Sequence, residues 1–238
     1  MFILACPVHF AGSFFSINNA VGLKGNYKMI NVIIVILFLF IATSFHLCGH
    51  TIACLLTGIK INKIQFFYGR EIVKLNCKVS TISIGWLPTG GSVSYDIEQF
   101  QKENLLIRLF ILLCGPLFLL ISAAIFLKYD LALTYFFRGF FQLVDGSLSP
   151  IQKGSYLVSK FFNLLDNQNY IIAYGIFATK IATVNLFPLP PLNGGNIVLE
   201  IFSPLLDLKK RMFFSNIGFV FIFIFFVLWL VAIIYSFI

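Results

Sequence analysis

Charge is what this sequence has least of. Asp and Glu number 9 and Lys and Arg 17 among 238 residues, so 11% of the chain is charged, against about 25% in a soluble globular domain. That scarcity excludes an ordinary water-soluble protein, and the 59% hydrophobic content excludes a disordered chain. Cysteine is sparse as well. Cys6, Cys48, Cys54, Cys77 and Cys114 are odd in number and none has CxxC spacing, which excludes a disulfide-stapled secreted domain and a cysteine zinc knuckle. Cys48, Cys54 and Cys114 lie in apolar runs, where a thiol packs as a small hydrophobe. What abounds is Phe (30) with 9 Tyr, at a mean hydropathy of +0.95. This is the composition of a polytopic membrane protein. The net charge of +8 belongs to its loops, because no basic stripe is interleaved with aromatics that could stack on bases; nucleic acid is not an expected partner.

Spans of about 20 apolar residues can cross a bilayer. Three stretches qualify: residues 29–59, uncharged between Lys28 and Lys60; 105–127, with Arg108 near its start; and 212–238, directly after Lys209, Lys210 and Arg211. A fourth, 170–187, is interrupted by Lys180 and ended by Pro188, Pro190 and Pro191. Residues 60–95 read differently. Short runs such as Val79 to Trp86 alternate polar and apolar between glycines, which predicts a β-hairpin lying against the membrane face. Residues 128–168, with an aromatic cluster from Tyr135 to Phe141, predict an interfacial connection, and residues 1–28 an extension of open role. The expected fold is thus an all-α polytopic membrane protein with about four transmembrane helices and a small membrane-associated β-hairpin or sheet. Ten Lys and Arg flank the side holding the hairpin and the start of the last span, against six on the other. That bias places the hairpin in the cytoplasm.

Two strings carry possible chemistry. His46 and His50, in HLCGH, are four residues apart and project from nearly one face of a helix, a spacing that suits two imidazoles on one metal. Packed, hydrogen-bonded histidines are the plainer alternative, but polar groups inside a span point to function by default. The second string, NLFPLPPLNGG from Asn185 to Gly195, breaks a helix with prolines. Irregular backbone at membrane depth is tolerated where it is buried in protein or lines a cavity.

Together these strings resemble the site-2 protease family of intramembrane zinc metalloproteases, in which an HExxH helix and a later LDG motif supply two His and one Asp to zinc. The resemblance extends beyond them. His46 to Ile61 is similar to the family's HELGH helix and its continuation; Trp86 to Val93 resembles the end of its β-hairpin; Cys114-Gly115-Pro116 resembles the Gly-Pro start of the next core span. It covers roughly Met29 to Phe202 in the family's order. It implies that His46, His50 and the residue at Asn193 hold zinc. It also implies that Asn185 with the loop through Pro188 contacts substrate backbone, and that the hairpin end at Gly90 and Gly91 guides an extended substrate by strand addition, a pairing that needs no metal. The 128–168 connection is too short for the PDZ domain some members carry.

Two positions depart from the family. Leu47 stands where the general-base Glu belongs, and Asn193 where the Asp ligand belongs. Leucine cannot accept the proton that a zinc-bound water gives up, and a positioned general base contributes about 10²–10⁴ in rate. A His₂Asn set lacks the negative charge that offsets Zn²⁺ in a low-dielectric site, so zinc affinity should fall steeply. No replacement carboxylate is evident: Glu200, about 10 Å along a helix from Asn193, and Glu71 read as solvated or interfacial charges. Lys180 is expected to snorkel or to fill a polar cavity, and Cys48, on another helix face, to pack. The expected function is a pseudoprotease of the inner membrane of a bacterium. It binds transmembrane or juxtamembrane segments of a partner, in contact with membrane lipid, with hairpin and LNG loop facing the cytoplasm. The alternatives are an active zinc endopeptidase using an unusual base and, third, a small transport protein built around Lys180, His46 and His50.

Overall fold

The computed structural model describes residues 20–77 and 80–236; most of the expected N-terminal extension lies outside the described residues. A helix, α1 (Ala20–Thr57), is followed by strands β1 (Ile61–Asn76) and β2 (Thr81–Tyr95). Helices α2 (Ile97–Lys102), α3 (Leu105–Leu127), α4 (Tyr129–Leu148), α5 (Ser155–Asp166), α6 (Tyr170–Asn185), α7 (Asn193–Ile201) and α8 (Leu208–Ser236) complete the described chain, with a π-helical turn (Pro150–Gly154) before α5.

Three of the described helices are long and apolar enough to cross a membrane: Ile30–Thr57 within α1, α3 itself, and Lys209–Ser236 within α8. They coincide with three of the expected spans. The fourth, α6, has 16 residues and so runs about 24 Å, short of a hydrocarbon core of about 30 Å. It is nonetheless an interior helix. Ala173, Ala178 and Ala182 are fully buried, and with Gly175 they let its backbone approach α3 and α4 closely, the packing device of membrane bundles. Around them a core forms from Phe38, Leu119, Ala123, Phe136 and Tyr174. The outer faces carry exposed Phe and Ile in numbers that water would not tolerate, most of all on α8 (Phe213, Phe219, Phe223, Phe226). Their solvent is lipid.

The expected hairpin is present and more folded than its sequence suggests. β1 and β2 pair antiparallel, Ile61 opposite Tyr95 at one end and Asn76 opposite Thr81 at the other. Each strand also doubles back. Phe66 has both Gly91 and Ile84 as neighbours, and Ile64 has both Val93 and Ile82. The reversals occur at Phe67 and Gly69 (φ 58° and 88°) and at Gly90 (φ 118°), where a left-handed backbone turns the chain within a residue or two. Phe40 on α1 stacks against Phe66 and Phe67, with ring centroids 5.8 and 5.9 Å apart, which fixes the sheet on the first span.

The segment expected as an interfacial connection is two helices, α4 and α5. Asn31 Nδ2 of α1 donates to Asp166 Oδ1 of α5 over 2.6 Å. Trp229 of α8 donates through Nε1 to Ser147 Oγ at the end of α4, 3.0 Å away.

Candidate functional site

Three elements far apart in sequence converge on one point. α1 carries His46 and His50 one turn apart, their Nε2 atoms 3.2 Å from each other and their rings edge to face. Asn193, the first residue of α7, lies 2.9 Å from His50 Nε2 through its side-chain nitrogen. α3 closes the third side. A Cβ on Gly115 would fall on His50 Nε2 and come within 2.8 Å of His46 Cε1, and Gly49 of α1 is held equally close to the Cys114 carbonyl. Only residues without side chains allow α1 and α3 to meet here, so the Cys-Gly-Pro string serves to lay backbone against both imidazoles. α7 is brought in by its own glycines, Gly194 and Gly195, which sit against the backbone of Leu186 and Pro190. The proline-rich loop thus folds back to deliver Asn193.

The hydrogen bonds assign the protons. His50 Nδ1 is 2.8 Å from the Ile111 carbonyl and must donate to it, which leaves Nε2 as an acceptor. The Asn193 amide, at 2.9 Å the nearer neighbour, donates to that single lone pair, with His46 Nε2 3.2 Å away; His46 Nδ1 is buried and makes no hydrogen bond. The three side chains meet one another and the Ile111 carbonyl, with His46 Nδ1 left over.

Zinc would take the Nε2 lone pair of His46. With Nε2 on a metal, the proton moves to Nδ1, which makes no hydrogen bond in the present arrangement, although the Gly115 backbone stands beside the ring as an acceptor. Metal-bound histidines normally give that proton to a carboxylate or carbonyl, as His50 gives its own to Ile111. Asn193 would also have to turn its oxygen inward, and it brings no charge. Among the described residues no three His, Cys, Asp or Glu side chains are placed to share a metal ion. The three ligand positions are assembled, but the residues on them do not fit a catalytic zinc.

The base position is closed by packing. Leu47 is 1% exposed, and the backbone of Gly91 on β2 lies so near that a Cβ there would be 3.0 Å from Leu47 Cδ1 and 2.9 Å from Thr43 Cγ2. Leu47 therefore seals α1 against the end of the hairpin. Tyr68 covers the same end, its hydroxyl donating to the Gly91 carbonyl over 3.0 Å. Burial pushes the Tyr68 phenol above its ordinary range, partly countered by a hydrogen bond with Ser92, so it remains a donor.

The other expected residues fall out differently. Asn185 ends α6 and turns its amide back to the Ile181 carbonyl, 2.8 Å away, which leaves its side-chain oxygen for another donor; Pro188 is exposed beside it. Glu71 is on β1, 2.5 Å from Lys63, and hydrogen bonding from that ammonium holds its carboxyl below the usual range. Lys180 neither snorkels nor fills a metal's place: it donates to the Tyr135 carbonyl (2.9 Å) and to Gln142 (2.6 Å) on α4. Cys48 does point away from the histidines, but it is exposed instead of packed, because its helix face looks toward lipid.

Glu200 departs from the solvated alternative. It is 6% exposed, not solvated, and is ion-paired with Arg108 of α3 at 2.5 Å and with Arg211 of α8. Both its oxygens are engaged, which removes it as a substitute base. Sequence reasoning missed this because its partners stand 92 and 11 positions away. A lone Arg in an otherwise apolar span was the available signal.

The model of Peptidase family M50 matches residues 34–225. No curated protein matches the chain.

Proposed function

The chain belongs to Peptidase family M50, and from that premise we propose that it is a catalytically impaired member that binds a membrane-spanning or juxtamembrane segment of a partner without cutting it. It is an integral membrane protein with the family's helical fold. One observation carries the proposal: a buried Leu47 at the base position, beside an Asn193 whose amide donates to His50. Water activation needs an anionic or Lewis-acidic partner and a proton acceptor; neither Leu47 nor Asn193 brings a carboxylate to the cluster.

The hairpin end at Gly90 and Gly91 is packed against α1 and Tyr68, so strand addition is read instead on the outer run of β1. Residues 71–76 form an exposed run of β1 along the sheet, and main-chain pairing to such an edge requires no metal. The partner is therefore a single-span protein with an extended stretch next to its helix. The bias of basic residues supports placing the hairpin and the Asn193 loop on the cytoplasmic face, in a membrane that this reading takes as the bacterial inner one.

Crosslinking from a photoreactive residue at position 73 or 75 to a co-expressed single-span protein tests the reading. A crosslinked, uncut partner is expected. A cleaved partner whose cleavage disappears with His46→Ala would instead establish the second reading, an active endopeptidase; the convergence of its three ligand positions favours keeping that arm in the experiment.

A further inference from the structure

Away from the histidines, the buried ion cluster on α3, α7 and α8 has more positive charge than it uses. Arg108 is the fourth residue of α3 and Arg211 the fourth of α8. Each therefore lies about one turn inside the start of a membrane span, at the depth where lipid headgroups meet the acyl region. Glu200 neutralises one of the two guanidinium groups and leaves a surplus positive charge. Arg108 and Arg211 keep 15% and 24% of their side-chain surface open, and charged donors in excess of their carboxylate call for an anion. Both arginines line a polar cavity of about 420 Å³, together with Gln101 and Ser203, which add neutral donors.

Leu206 completes that cavity and also lines a second one, of about 410 Å³, between the proline-rich loop, α7 and α8. This one is apolar, walled by residues such as Val198, Phe214, Ile217 and Phe221. A cationic cavity at headgroup depth thus opens beside an apolar groove running along a span. Each is within the roughly 300–1,000 Å³ of small-molecule sites.

We propose that these two cavities are one binding site for an anionic phospholipid. Its phosphate sits between Arg108 and Arg211 with Gln101 and Ser203 as supporting donors, and one acyl chain lies in the groove of Val198, Phe214 and Ile217. Charge selects the occupant: a zwitterionic headgroup would bring its own cation against the two arginines. The same lipid bridges α3, α7 and α8, and so braces the helix that presents Asn193. The cationic cavity lies apart from the histidines, while the apolar one shares Pro188 with the loop read as contacting a partner segment.

The test uses the full chain purified in detergent and examined by native mass spectrometry with added dioleoyl phosphatidylglycerol or dioleoyl phosphatidylcholine. The glycerol lipid should be retained at least about tenfold better, equivalent to about 1.4 kcal/mol. Arg211→Gln should remove that preference, Arg211→Lys should keep most of it, and Ile217→Trp, which fills the groove and leaves the arginines, should weaken retention of both lipids. Equal retention of the two lipids by the unaltered chain would overturn the proposal. So would displacement of the lipid by inorganic phosphate at matched concentration, since a free phosphate makes no use of the groove. If Arg211→Gln fails to fold, the Arg211→Lys and Ile217→Trp arms decide: retention untouched by Ile217→Trp contradicts the acyl assignment.

Discussion

Restoring both altered positions should create the metal site that the present residues decline. Leu47→Glu alone is expected to be severely destabilising. It gives up a fully buried leucine, worth about 1.5–3 kcal/mol, and places a carboxylate where it finds no partner, at a further several kcal/mol. Together these approach the 5–15 kcal/mol that a folded domain has to spare. Asn193→Asp alone removes the amide that donates to His50 and sets a carboxylate against a nitrogen lone pair. In the double variant zinc resolves both conflicts, since it accepts both imidazoles and the Asp and gives Glu a charge to face. At a hundredfold excess over its dissociation constant, zinc would stabilise the double variant by about 2.7 kcal/mol. For a chain of this size that corresponds to a rise in Tm of about 5–11 °C. Differential scanning fluorimetry in detergent, with and without zinc, reads the shift in all four proteins. A zinc shift in the unaltered protein as large as in the double variant would refute the reasoning from charge. No shift in the double variant would show that the walls of the site no longer admit a metal.

Other perturbations probe the surrounding structure. Gly115→Ala drives a methyl into His50 and His46 and should cost about 1–3 kcal/mol as α1 and α3 separate, seen as a lowered Tm in detergent. Glu200→Gln leaves two arginines facing each other at a buried site and should cost about 3–5 kcal/mol; a change below 1 kcal/mol in an unfolding titration would contradict the burial of this cluster. The Glu71 carboxyl, held low by Lys63, supports the hairpin above its unfolded range and loses that support as pH falls through its folded value. Amide protection in residues 71–76, referred to the intrinsic exchange rate at each pH, should therefore fall selectively toward acid pH, and Glu71→Gln should abolish that dependence.

Much of the architecture is legible because lipid imposes a simple code. The run from Leu105 to Leu127 stands out by hydropathy alone, and Asn104 marks its start by capping Ile107 N. The converging His46, His50 and Asn193 are legible only through the order of short motifs, since nothing local joins residues 143 positions apart. The doubled-back strands are less so: Phe67 holds a left-handed backbone without being glycine, and only the sheet built around it explains why. α6 falls where the fourth span is expected, and Lys180, which reads as an interruption, is received by Gln142 and the Tyr135 carbonyl. The Glu200 pairs could not be seen locally at all, because an ion pair leaves no trace in the spacing of residues on separate helices.

The central claim concerns the electronic state of the histidine cluster, and the zinc content of the unaltered protein tests it most directly. Protein purified without chelator, equilibrated with zinc at neutral pH and freed of excess ion should carry well under one zinc per chain by plasma mass spectrometry, and His46→Ala should not change that number. One zinc per chain, lost on His46→Ala, would contradict the account.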